Sequence, residues 1–245
     1  MTDRIFNIGE AGIEAADERV KSMMSNIVNA QTPGFKRTDV IQRGFPLELE
    51  AANRRLETMK PKVESPYYDF KGGALVRTGS PTDIAIGGDG FFVIMAPWGD
   101  GYTRDGRFMM DREGKIVSVS GGYPLVGERG PIVLPPGSNP EISNAGEIKV
   151  NDVVVDRIKV VNVPDAKAFE SVSGSVFRIS DPTIKIDDLP TPTLIQGYVE
   201  SSNVSSVDEM MNMVIISRLY GINVKLVQAR DGNLSRAVEM GRPTQ

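Results

Sequence analysis

The sequence predicts an α+β protein: N- and C-terminal helices forming a discontinuous coiled-coil domain, with an antiparallel all-β domain inserted between them. Three observations carry this. Apolar residues recur at steps of three and four near both ends, short apolar runs separated by Gly, Pro, Asn and Asp fill the middle, and Thr32-Pro33-Gly34 stops the first stripe.

Phe6, Gly9, Ile13, Ala16, Val20, Met23, Ile27 and Ala30 share one helical face, while Asp3, Glu10, Glu14, Asp17, Glu18, Arg19 and Lys21 mostly avoid it. Residues 1–32 therefore read as a first helix ending near Ala30, because an α-helix does not easily pass Pro33-Gly34. Residues 33–73, with Pro46, Pro61 and Pro66, read as a connector or docking loop holding one short helical candidate, Leu47 to Met59.

Residues 74–198 read as the β-domain. Ile84-Ala85-Ile86, Phe91 to Ile94, Val153 to Val155 and Ile158 to Val163 are its clearest strands, and glycines at 87–90, 99–101, 104–106 and 112–114 are expected to supply positive φ for tight turns. Residues 199–240 read as the longer helix, capped by Ser201-Ser202-Asn203. Its stripe is Val204, Val207, Met211, Ile215, Leu219, Ile222, Leu226 and Ala229; 241–245 is a tail. Successive steps of four at Met211, Ile215 and Leu219 predict a relaxed supercoil, and Gly221 and Gly232 are weak points.

A fully buried Ile, Leu, Met or Val contributes roughly 1.5–3 kcal/mol, so neither stripe stabilises a lone helix generously. Helices of this length span roughly 40–60 Å at about 1.5 Å per residue, more than the middle domain covers. Packing between molecules is the expected remainder. Met23, Met24, Met210, Met211 and Met213 suit adaptable packing. Asn26, Asn29, Asn203, Asn212 and Asn223 are either solvated or, if buried, fix register.

The chain has no Cys and no His. Thiolate nucleophiles, imidazole bases, Cys/His zinc sites and Ser-His-Asp triads are excluded. The net charge of -4 is spread among scattered basic and acidic residues, which argues against a nucleic-acid partner. The opening Met-Thr-Asp-Arg-Ile lacks the basic run and apolar core of a signal peptide, and no apolar stretch is long enough to span a membrane, so neither leader nor direct membrane insertion is expected.

The glycines around Asp89 match neither dinucleotide nor phosphate-loop spacing. Asp105, Asp111 and Glu113 lack the ligand spacing of a calcium loop. No metal, cofactor, small-molecule substrate or catalytic residue is expected, although acids such as Asp83, Asp89, Asp105 and Asp111 leave a glycoside-hydrolysis reading in view.

Residues 25–37, Ser-Asn-Ile-Val-Asn-Ala-Gln-Thr-Pro-Gly-Phe-Lys-Arg, resemble the N-terminal signature of the flagellar axial proteins, the rod and hook subunits. A second resemblance covers Gly90 to Ile94, Tyr102-Thr103-Arg104-Asp105-Gly106-Arg107-Phe108 and Gly122 to Gly127. A third runs from Gly197 through Glu200, Ser202, Asn203 and Val204 to Lys225. Gly221 departs from the acidic residue common in that family after the aromatic at Tyr220.

Within the family, the length and the run Gly127 to Pro135 look most like the proximal-rod protein adjoining the distal rod, with distal-rod and hook-type subunits as alternatives. The resemblance implies a non-enzymatic subunit of the periplasmic rod, exported by the flagellar type III apparatus. Its terminal helices would polymerise into an axial drive shaft that transmits torque from motor to hook. Partners would be copies of itself, other rod subunits, the distal-rod neighbour and the surrounding rings. The implied motif residues are Thr32, Pro33, Gly34, Phe35, Lys36, Tyr102, Thr103, Arg104, Asp105, Gly106, Glu200, Ser202, Asn203 and Val204. The expected assembly interface is Phe6, Ile13, Ala16, Val20, Met23, Asn26, Ile27, Asn29, Val204, Val207, Met211, Ile215, Leu219, Ile222 and Leu226.

Overall fold

The computed structural model describes residues 16–42, 63–164, 168–179, 181 and 184–240. They fall into two compact units. One holds the described residues of Met1–Ile27, Thr38–Tyr67 and Ser205–Gln245; the other holds Val28–Arg37 and Tyr68–Val204.

The second unit is the β body. Its central sheet is antiparallel, in the order Phe169–Ser173, Val176–Ile179, Gly99–Thr103, Phe91–Ala96, Val160–Asn162, Asp187–Asp188. Phe91–Ala96 is almost continuously apolar because both of its faces are covered. Phe92 and Ile94 join a core with Ile84, Phe108, Leu125, Ile132 and Leu194. Phe91 and Val93 face an aromatic cluster with Tyr68, Tyr102, Phe169 and Phe177. Rings there meet edge-on or tilted, as at Tyr68–Phe177, 5.1 Å between centroids.

A three-stranded sheet, Glu141–Ile142, Glu147–Val150 and Val153–Arg157, turns at Asn151 and Asp152, both with positive φ. These two short polar residues serve a turn type that usually favours Gly. Among the expected turn glycines, Gly90, Gly99 and Gly114 do take positive φ. Gly106 corrects that expectation: its requirement is space, since a Cβ there would overlap the Ile84 carbonyl.

The first unit contains residues 16–27 of α1, which is described over residues 16–28 and followed by a turn, close to the expected end at Ala30. It also contains α2, Ser206–Met240. Ala16, Met23 and Ile216 are buried together, with Val20 and Met213 beside them, so the two helices meet inside one chain.

Three local expectations change. α2 starts at Ser206, not 199. Tyr198–Glu200 is instead a strand paired with Leu75–Arg77, and Ser205 caps the helix, its Oγ accepting the Asp208 N–H at 3.4 Å. Val204 thus lies ahead of the helix. Gly221 causes no break, because α2 runs through it. The supposed connector 33–73 carries Arg37–Gln42 and Val63–Asp69, paired as a two-stranded sheet. The helical candidate Leu47 to Met59 lies outside the described residues.

Candidate functional site

The three recognisable motifs, far apart in sequence, meet in the β body. The incoming segment Val28–Arg37 turns at Thr32, where Thr32 N donates to Asn29 O at 3.0 Å and Phe35 N to Thr32 O at 3.2 Å. Pro33 follows Thr32 in this turn, and the Phe35 side chain is buried. Gly34 has φ 69°, and a Cβ there would strike the Asp105 backbone. Only glycine allows this approach. Gly34 N then donates to Glu200 O at 2.8 Å.

Glu200 is the centre. Its Oε1 accepts from Lys36 Nζ at 2.6 Å and from Gly73 N at 2.8 Å, and its Oε2 from Arg104 Nη1 at 3.2 Å. Lys36 Nζ also donates to Lys71 O at 2.8 Å. All three charged side chains are at most 5% exposed, so two cations share one carboxylate away from water. Burial pushes the Lys36 amine below its ordinary pKa despite the opposing pull of Glu200. It does the same to the Arg104 guanidinium, which also sits 5.3 Å from the centre of the Phe91 ring.

Asn203 ties the same segments. Its Oδ1 accepts from Arg37 N at 2.8 Å, and its Nδ2 donates to Asp69 O at 2.7 Å. Ser202 Oγ accepts from Val204 N at 3.2 Å. Thr103 Oγ1 accepts from Asp105 N and donates to Ser175 O, while Tyr102 packs in the aromatic cluster.

Asp105 is engaged by Arg107 at 2.8 Å and by Ser120, and Arg107 is held above its ordinary pKa chiefly by that bond. Asp111 accepts backbone N–H groups from Glu113 and Lys115. These acids build turns. Among the described residues, no group of three His, Cys, Asp or Glu could hold a metal ion.

The expected interface residues divide. Phe6 and Ile13 lie outside the described residues, as does the side chain of Leu226. Ala16, Val20 and Met23 pack onto α2, with Ile27 half-buried. Asn26 is buried, exchanging bonds with Thr38 (Nδ2 to Thr38 O 2.8 Å, Thr38 N to Oδ1 2.9 Å) and donating to Glu209 Oε1 at 3.3 Å. Asn29 is half-buried and Val204 likewise.

Among the described side chains of α2, Glu209 and Ile216 are buried and Met213 is partly covered, whereas Val207, Met211, Ile215, Leu219 and Ile222 are half to two-thirds exposed. The stripe chosen from periodicity is the uncovered face. Sequence reasoning missed the partners of the charged centre. Lys71 and Asp69 act through backbone carbonyls, which side-chain identity does not reveal; the Gly72-Gly73 pair was the available signal.

Two family models match the chain. That for the "Flagellar basal body rod FlgEFG protein C-terminal" covers residues 195–240, and that for the "Flagellar hook protein FlgE/F/G D1 domain" covers 85–152. The first includes Glu200, Asn203 and α2; the second includes Arg104 to Gly106. Among curated relatives, flagellar basal-body rod protein FlgF of Rhizobium meliloti (strain 1021) is 32% identical over 92% of both chains. FlgF of Escherichia coli (strain K12) is 31% identical over 88% of this chain and 89% of the relative. Flagellar basal-body rod protein FlgG of Buchnera aphidicola subsp. Schizaphis graminum (strain Sg) is 29% identical over 95% and 98%.

Proposed function

The chain belongs to the flagellar basal-body rod protein family, and on that premise we propose how this subunit joins its neighbours. It is a structural subunit of the rod and resides in the flagellar basal body. In the proposed arrangement α2 works two-sidedly. Glu209, Met213 and Ile216 hold the chain's own α1, and Val207, Met211, Ile215, Leu219 and Ile222 pack against helices of adjacent subunits.

Through that packing the subunit polymerises in the proximal rod and passes torque toward the hook, without enzymatic activity. Its partners are copies of itself, other rod subunits, the distal-rod neighbour and the encircling rings.

The observation that carries this reading is the uncovered stripe. Five large apolar side chains in register along one helical face gain little in water and have roughly 1.5–3 kcal/mol each to gain on full burial. The test is sedimentation and electron microscopy of the purified chain over a concentration series, beside Ile215→Asp and Leu219→Asp. The parent should form rod-like polymers while both variants stay folded and monomeric. Variants that assemble as the parent does would move the interface elsewhere.

The α1–α2 contact within one chain favours a second reading, a monomeric adaptor with a helical hairpin. Strict monomer behaviour of the parent at high concentration, with full helicity, would select it.

A further inference from the structure

The β body takes in residues 28–37 and 68–204, and the end of the first of these segments is fastened directly to the end of the second. Gly34 N reaches Glu200 O, Lys36 Nζ reaches the Glu200 carboxylate, and Arg37 N reaches Asn203 Oδ1. Three fastenings therefore join the incoming segment 34–37 to the outgoing segment 200–203. Arg104 and Gly73 brace the middle one from the body side. The hydrophobic cores, built around Phe92, Ile94 and Leu125 and around Phe91 and Phe177, belong to the chain enclosed between those segments.

We propose that Glu200 is the pin of a mechanical clasp: tension applied through the two ends of the chain passes from segment 34–37 straight to segment 200–203 and does not load the β body between them. This rests on the reading of the protein as a torque-transmitting rod subunit, since only such a protein has use for it. The clasp resists because its fastenings are loaded together, and its charged groups are shielded from the water that would otherwise compete for them. The β body then keeps its shape while the segments beside it carry force. Lys36 and Arg104 are positioning residues here, holding the carboxylate from opposite sides.

The chain contains no cysteine, so Gln31→Cys and Ser205→Cys, both at exposed positions, provide unique handles for pulling single full-length molecules in optical tweezers. The parent should hold its length until the clasp opens, then lengthen in one dominant step of about 60 nm, the span of the released chain at roughly 3.3–3.6 Å per residue.

Glu200→Gln should shorten the lifetime of the closed state at fixed force by at least about 100-fold, the lower end of the ratio corresponding to loss of a buried charge's partner. Lys36→Met should shorten it about tenfold while lowering the urea midpoint by under about 0.7 M, and it serves if the Glu200 variant does not fold. Ile94→Val, in the core behind the clasp, should lower the urea midpoint yet leave the lifetime within about twofold. Gradual lengthening before the main step, lifetimes unchanged by both clasp variants, or a lifetime as sensitive to Ile94→Val as to Glu200→Gln would each overturn the proposal. The readout comes from monomers, so failure of the chain to polymerise would overturn the assembly reading and leave this result standing.

Discussion

Replacing Glu200 with Gln keeps the size of the side chain and one acceptor oxygen but removes the carboxylate that both Lys36 and Arg104 bond, leaving only the more distant Asp69 and Asp89 to act on them. With both cations within 3.2 Å and all three groups buried, the variant leaves two buried cations without a bonded carboxylate. Breaking a buried pair in this way costs about 3–5 kcal/mol. Lys36→Met acts differently, because Glu200 and Arg104 remain as a balanced pair and an amine whose charge is already disfavoured by burial is removed. Its cost should stay within about 1.5 kcal/mol, mostly the lost bond to Lys71 O.

Urea unfolding followed by fluorescence of Trp98, the single tryptophan, separates the two. At a slope of about 2–3 kcal/mol/M, Glu200→Gln should lower the midpoint by roughly 1–2 M and Lys36→Met by under about 0.7 M. The penalty should also shrink with pH in the Gln variant. The folded-state pKa of Lys36 lies below that of the unfolded chain, near 10.4. Between those values the unfolded state binds more protons, and stability rises as pH increases. Equal costs for the two substitutions, or a Glu200→Gln cost under about 1 kcal/mol, would refute the two-cations-one-carboxylate account.

Asn26→Asp places a carboxylate where Asn26 Nδ2 now donates to Thr38 O and Glu209 Oε1. It should cost about 2–4 kcal/mol through the lost donor and carboxylate repulsion, read as a lower thermal midpoint and faster exchange of the Thr38 amide. A fragment of residues 28–204 should fold with native β circular dichroism, whereas residues 74–198 should not, because the shorter piece lacks Lys36, Tyr68, Phe70 and Glu200. A cooperative unfolding transition in the 74–198 fragment would contradict the placement of segment 28–37 within the body.

Much of the fold was legible because it rests on local periodicity. The strand Phe91–Ala96 announced itself as a continuous apolar run, the end of α1 followed from Pro33-Gly34, and the three motif segments marked positions that converge. The short strands Arg37–Gln42 and Val63–Asp69 were not legible, since they carry mixed residues whose pairing comes from long-range backbone bonds. Tyr198–Glu200 was absorbed into the helix for the same reason: its partner, Leu75–Arg77, lies far away in sequence.

The sequence by itself determined which residues could form helices, which could form strands, and that His and Cys chemistry is absent, because these depend on composition and on spacing along the chain. The tertiary structure alone decided which face of α2 is covered. Two apolar stripes coexist on that helix, and periodicity ranks them by hydrophobicity, whereas contact with α1 selected Met213 and Ile216 and left the more apolar stripe open. It alone also decided that Lys36, Arg104 and Glu200 are buried, since the free energy of a charge depends on the solvent excluded by residues distant in sequence. The sequence marks Lys36, Arg104 and Glu200 as motif positions, but their burial shows only once the fold brings them together.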